Sequence, residues 1–284
     1  VRYGFVLPWG DARTAADLAA LAERHGWDGF FVWEAVWGVD AWVCLAAAAM
    51  TTRRIRLGTM LTPLPRRRPW DLAGQTAAVD NLSGGRVVLS VGLGAVHAGW
   101  LAFEPDPGRR VRAELLDEGL DVLTGLWEGQ PFSYDGRHHH VHESDFMPPP
   151  PPVQRPRIPI WVVGGWPAKV SMRRAARWDG WLPNVVRRGG AALSPDDVRE
   201  GSRWIRDLRT VEGLDPDRYE VICEGDTPAG DPGEAGERVR PWRDAGATWW
   251  IEADWSQPRE AVRDYGEQRL RAGPPRITDR ARGR

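Results

Sequence analysis

Short apolar runs alternate with longer stretches of helical periodicity along the whole chain. That alternation predicts a parallel sheet wrapped by helices. The first run is Tyr3–Leu7, closed by Pro8-Trp9-Gly10. A helix follows from Thr14 to His25, with Leu18, Leu21 and Ala22 on one face, Thr14 and Asp17 as a variant capping box, and Gly26 as its stop. The second run, Gly29–Trp33, precedes an alanine-rich helix from Asp40 to Thr51. The third, Ile55–Leu61, leads to a helix over Pro69–Leu82, with proline where a first turn tolerates it. The fourth, Val87–Val91, leads to Arg109–Trp127, where Leu115, Leu116, Leu120, Leu123 and Leu126 recur at helical spacing. The fifth, Ile158–Val163, pairs with a helix over Pro167–Arg177, and the sixth, Gly180–Pro183, with one over Ser194–Glu212. The seventh, Tyr219–Cys223, pairs with Glu234–Ala245. The eighth, Ala247–Ile251, pairs with a last helix opened by Ser256-Gln257-Pro258 and running to Arg271.

Eight such units predict an α/β fold, a (β/α)8 TIM barrel forming one domain over residues 1–284. About 250 residues is typical of that fold. A doubly wound sheet would carry Gly-x-Gly-x-x-Gly after its first strand, and Pro8-Trp9-Gly10-Asp11 is not that motif. One connection is too long. Residues 128–157 read as an excursion between the fourth and fifth strands, with a small hairpin at Tyr134-Asp135-Gly136 and a stiff return through Pro148–Pro152.

Charge adds an exclusion. The chain has 38 basic and 39 acidic side chains, a balance that argues against a nucleic-acid or membrane-surface partner. The longest strongly apolar run, Ala41–Met50, is half of the ~20 residues that a membrane span needs. The N-terminus lacks the charged-then-apolar pattern of a signal peptide. Cys44 and Cys223 are too few for a disulfide framework or a structural zinc site. The expectation is a soluble cytoplasmic domain. One count stands out: 17 tryptophans against 4 tyrosines and 6 phenylalanines. Each buried indole N–H wants a partner, so this abundance asks for a reason.

In a (β/α)8 barrel the reacting groups lie at the C-terminal strand ends. That rule selects Trp9, then Trp33, Glu34 and Trp37, then Thr59-Met60-Leu61-Thr62. It continues with Gly92-Leu93-Gly94, His97 and Trp100, with Gly164-Gly165-Trp166, and with Asn184, Glu224, Glu252 and Trp255. Gly164-Gly165 before a helix start suits a phosphate, because free N–H groups at a helix N-terminus favour an anion. A tight turn without a ligand is the alternative. His138-His139-His140-Val141-His142 invites a metal reading, but the tract lies in the excursion without cysteine, and no metal is expected there. Arg66-Arg67-Arg68 has the charge to bind a phosphate, but a basic triplet before a helix reads more often as a solvated or ion-paired turn. No Gly-x-Ser-x-Gly, HExxH or paired-cysteine spacing occurs.

These stretches resemble a known family. Arg54-Ile55-Arg56-Leu57-Gly58-Thr59, Arg68-Pro69-Trp70, Asn81-Leu82-Ser83-Gly84-Gly85-Arg86 and Gly92-Leu93-Gly94 are similar to the bacterial luciferase-like flavin-dependent oxidoreductases. Glu118–Leu123 with Leu126–Gly129, Pro159–Gly165 and Ala175–Trp181 agree in order and spacing, so the resemblance covers residues 1–185. It implies a barrel with an excursion before the fifth strand and a flavin across the C-terminal mouth. It implies a non-prolyl cis peptide near Thr59-Met60-Leu61, and a flavin phosphate at Gly164 and Gly165. It also implies a homodimer through the helices after strands two and three, with Trp42 and Trp70 at the interface.

On this resemblance, the cofactor wall is Thr59, Met60, Leu61, Gly92, Leu93, Gly94, Gly164, Gly165 and Trp166. The substrate pocket is Trp9, Trp33, Trp37, Thr62, Trp100 and Trp255, an indole-rich rim suited to an apolar or aromatic small molecule. The cofactor is reduced FMN acting with O2, with a reductase as partner, or else coenzyme F420 acting by hydride transfer. Many deazaflavin-dependent members carry an Asp-His pair after strand two. Here the pair is Glu34-Ala35, and alanine cannot transfer a proton. Glu34 and His97 remain as acid or base candidates. A flavin-binding or partner subunit without turnover is the rival from another class, and a metal-dependent barrel hydrolase is a second.

Overall fold

The computed structural model describes residues 1–96, 99–144, 148–186 and 192–277. His97 lies outside the described residues. The strands are β1 (Arg2–Leu7), β2 (Gly29–Val32), β3 (Arg56–Thr59), β4 (Val87–Val91), β5 (Tyr134–Asp135), β6 (His140–Val141), β7 (Ile160–Trp166), β8 (Gly180–Val185), β9 (Glu220–Gly225) and β10 (Trp249–Glu252). The helices are α1 (Ala12–Arg24), α2 (Ala41–Thr51), α3 (Pro69–Ser83), α4 (Arg109–Glu128), α5 (Lys169–Ala176), α6 (Pro195–Val211), α7 (Pro232–Asp244) and α8 (Val262–Arg271). Eight parallel strands close into a barrel in the order β1-β10-β9-β8-β7-β4-β3-β2, and β5 and β6 form a separate antiparallel hairpin. This is the (β/α)8 architecture, with the excursion where the long connection required it. Among the described residues no helix is long and apolar enough to cross a membrane.

Side chains of a strand alternate between its two faces. The inward set fills the barrel: Val6, Phe31, Met60, Val88, Trp161, Val163, Leu182, Ile222, Trp249, Ile251 and Ala253 pack together. The outward set packs under the helices, with Trp27, Trp42, Trp127, Trp166, Trp181 and Trp250 among its members. Phe31, Trp161 and Trp249 plug the barrel floor, with centroids 5.4 to 6.1 Å apart. Small neighbours make room for them. A Cβ at Gly29 would lie 2.7 Å from the Phe31 ring and 2.9 Å from that of Trp249, and one at Gly180 would lie 2.5 Å from that of Trp161. The indole count is thus first a packing feature, since one indole fills a space that would take two aliphatic side chains.

Several local expectations change. The cap of α1 is Asp11, whose side chain accepts from the Thr14 N–H, so the helix starts two residues earlier than Thr14. The Ser194–Asp197 pair forms a reciprocal capping box on α6. The last unit opens with a single 3-10 turn, Arg259–Ala261, before α8. Trp42, expected at an interface, is buried in the chain's own core, whereas Trp70 is exposed. The proline-rich return is anchored by Asp80 at the end of α3, which accepts from the Val153 and Gln154 N–H groups at 2.8 and 3.1 Å.

Candidate functional site

A cavity of about 1310 Å3 opens at the C-terminal ends of the barrel strands. That exceeds the roughly 300–1,000 Å3 of a pocket for one small ligand. Strand parity explains its wall. Continuing each inward series by two residues takes Phe31 to Trp33, Val163 to Gly165, Leu182 to Asn184, Ile222 to Glu224 and Ala253 to Trp255, and all five endpoints line the cavity.

Most of the expected site residues reach this wall: Trp9, Trp33, Glu34, Met60, Leu61, Gly92, Leu93, Gly94, Trp100, Gly165 and Trp255. The others lie off this wall. Thr59 and Gly164 fall on the outward parity, next to the inward Met60 and Gly165. Gly164 serves outer packing: Trp181 Nε1 donates to its carbonyl at 2.8 Å, and a Cβ there would lie 2.7 Å from that nitrogen. Trp166 also faces outward, against Trp204 of α6, and the single lysine, Lys169, lies 4.8 and 4.5 Å from the two ring centroids. Trp37 is 80% exposed and stands outside the cavity wall. Thr62 is fully buried behind the wall, where its hydroxyl donates to Glu34. The histidine tract sits on the β5–β6 hairpin. His138 Nε2 pairs with Glu114, His140 Nδ1 with Asp135, and His139 packs edge-on to Trp70.

The end of β3 is the best supported part of the wall. The Met60–Leu61 peptide is cis and non-prolyl, at the place the resemblance indicated. Both residues line the cavity. Thr59 Oγ1 and Thr62 Oγ1 lie 2.9 Å apart in a hydrogen bond, and Thr62 Oγ1 donates to Glu34 Oε2 at 2.6 Å. Arg67 donates to the other Glu34 oxygen at 3.0 Å. Burial pushes the Glu34 carboxyl up, while Arg67 and Thr62 oppose this. Both of its oxygens are engaged within the protein at the cavity edge.

The Gly92–Gly94 turn after β4 is held from outside. Arg112 Nη1 donates to the Leu93 and Gly94 carbonyls at 3.2 and 3.0 Å. Arg112 and Arg66 both lie against the Trp100 ring, 5.4 and 4.7 Å from its centroid. With Arg109 and Arg174 they give this side of the mouth four arginines. Sequence reasoning missed Arg109, Arg112 and Arg174, because they stand on helices rather than at strand ends, whereas Arg66 belongs to the triplet read as a solvated or ion-paired turn. Trp242 of α7 also lines the cavity. Nearby, the Gly165 N–H donates to Ser171 Oγ at 2.9 Å, and α5 starts at Lys169 without a side-chain cap. Its first-turn N–H groups, Ser171 and Arg109, the one of the four without an ion pair among the described residues, are donors for an anion.

Glu224 stands between the strands leading to Asn184 and Trp255. Burial pushes its carboxyl up, and the Trp255 indole, as a hydrogen-bond donor, offsets this only in part. Glu252 is instead sealed in the interior, where it accepts from Thr227 and pairs with Arg269.

Comparison with known proteins adds a family. The model for luciferase-like monooxygenases matches residues 4–280. An F420-dependent glucose-6-phosphate dehydrogenase of Nocardia farcinica is 31% identical over 247 residues, covering 81% of this chain and 69% of that protein. Among solved structures, a monooxygenase of Streptomyces bottropensis superposes with a TM-score of 0.77 at 20% identity, covering 96% of this chain and 98% of that one. An F420-dependent secondary alcohol dehydrogenase bound to an F420-acetone adduct also gives 0.77, at 16% identity, with 98% and 99% covered. At those identities the structural likeness speaks for the fold.

Proposed function

Because the chain belongs to the luciferase-like monooxygenase family, we propose that it is a flavin-dependent oxidoreductase in which reduced FMN and O2 act on an apolar or aromatic small molecule. The observation that carries this reading is the division of one cavity into two chemically different walls. One has the Met60–Leu61 edge, the Gly92–Gly94 turn and a set of anion donors, and the other carries the indoles Trp9, Trp33 and Trp255.

The residues present fit a flavin. Met60, Leu61 and Val163 offer an apolar bed for a ring system. Gly165, Ser171 and the free N–H groups of α5 suit a phosphate. When bound, the reduced coenzyme supplies the electrons. The chain's own residues then bind and orient. Arg112 keeps the glycine turn in place, and Thr62 and Glu34 brace the end of β3. Trp9, Trp33 and Trp255 exclude water from the substrate side. Ala35 stands where many deazaflavin-dependent relatives carry histidine, which favours oxygen chemistry over alcohol dehydrogenation.

A second reading, hydride transfer with coenzyme F420, is favoured by the Nocardia relative. In either case the protein acts in the cytoplasm as a homodimer, with Val43, Met50, Trp70 and Leu82 of α2 and α3 as exposed apolar contacts. The FMN reading adds a reductase as electron donor. Titration with reduced FMN and with reduced F420, followed by exposure to oxygen, tests the choice. Tight FMN binding with oxygen uptake is expected. Binding of F420 alone, without oxygen uptake, would overturn the first reading in favour of the second.

A further inference from the structure

Three of the four cavity arginines are paired within the protein: Arg66 with Glu104, Arg112 with Asp106 and Arg174 with Asp117. Among the described residues Glu224 has no such partner. It faces the cavity because Ile222, two residues earlier, faces the barrel interior. Its side chain is open to that cavity, and no cation pairs with it among the described residues. The polar group acting on it is the Trp255 indole.

Indoles share the cavity wall with Glu224. Trp33 and Trp255 meet edge to face with centroids 6.5 Å apart, and Trp9 and Trp33 at 4.7 Å. This cluster already holds one cation, the Arg259 guanidinium, 4.0 Å from the Trp9 centroid. A carboxylate on the same cavity wall as these indoles, without a cation of its own among the described residues, supplies the acceptors of an organic ammonium site. A neutral apolar ligand seated there would strip water from the carboxylate and offer nothing in exchange, a loss that an ammonium group avoids.

We propose that Glu224, Trp33 and Trp255 form a subsite for the protonated amino group of an aromatic amine substrate. The proposal rests on the cavity being the substrate site and narrows the substrate class. It is independent of which coenzyme binds.

Calorimetric titration of the full chain with 2-phenylethylamine and with 2-phenylethanol, in the absence of any coenzyme, tests it. The amine should bind about tenfold more tightly than the alcohol, in line with a desolvated cation–π contact and a charge-assisted hydrogen bond. Glu224→Gln keeps the size of the side chain and should erase that preference, leaving the alcohol within about twofold of wild type. Trp255→Leu should weaken the amine more than the alcohol. Equal affinities in the wild type, an amine too weak to detect at millimolar concentration, or a preference that survives Glu224→Gln would each overturn the proposal. Failure of the coenzyme titration above would not touch it.

Discussion

The Thr62 hydroxyl donates to the Glu34 carboxylate at 2.6 Å, tying the segment after β2 to the segment after β3 across the cavity edge. Arg67 holds the other carboxylate oxygen. Replacing Glu34 with alanine leaves a buried hydroxyl and a half-buried guanidinium without their acceptor. A loss of about 2–4 kcal/mol in denaturant melts is expected. Thr62→Val should cost less, about 1–2 kcal/mol, and should loosen the Met60–Leu61 edge, so that flavin affinity falls several-fold in a fluorescence titration. If flavin affinity is unchanged, this edge does not carry the coenzyme.

Glu23 gives a pH dependence. Its carboxylate accepts from the backbone N–H groups of Arg53, Arg54 and Ile55, with the shortest contact 2.6 Å, and so shapes the entry to β3. Burial pushes its pKa up, but the three bonds outweigh burial and hold it below the ordinary value. The stability it contributes is therefore full above the ordinary glutamate range, about 4.3, and is lost as pH falls through the lowered folded value. Urea melts of wild type and Glu23→Gln should differ by about 1–3 kcal/mol at neutral pH and converge in acid.

Asp80 is fully buried and serves three backbone donors, Val87, Val153 and Gln154, and the Gln154 side chain, which reaches it at 2.8 Å. It is the clamp by which the proline-rich return meets the barrel wall. Asp80→Ala should cost about 2–4 kcal/mol, since several donors lose their acceptor together. Limited proteolysis should then cut the 148–157 segment faster than in wild type. An unchanged melting point with unchanged cleavage would show that the clamp is dispensable.

Gly58 tests the packing of the barrel itself. A Cβ at this position would collide with the Val88 carbonyl oxygen and press on the Phe31 ring. Backbone cannot yield as a side-chain tip can, so Gly58→Ala should cost upwards of about 3 kcal/mol and reduce soluble yield. Gly74→Ala, with open space around its Cβ, is the matched control. It should stabilise α3 by about 0.5–1 kcal/mol through helix propensity.

Chain order and composition alone determined the number of strand–helix units, their order and the long connection before β7. Apolar runs, caps and glycine stops are local signals, and they need no knowledge of what packs where. The strand-end rule then led to Trp33, Glu224 and Trp255 without any structure. It did not separate Gly165 from Gly164, or Met60 from Thr59. A barrel strand is buried on both faces, so Ile160–Trp166 is apolar throughout and carries no alternation to mark the inward side. Only closure of the barrel sets that parity. Tertiary structure alone also decided what surrounds each charge. Arg66, Arg112 and Arg174 come from separate parts of the chain to one side of the mouth and are neutralised there, whereas Glu224, on a strand whose neighbours bring asparagine and indole, is left facing the cavity without a cation among the described residues.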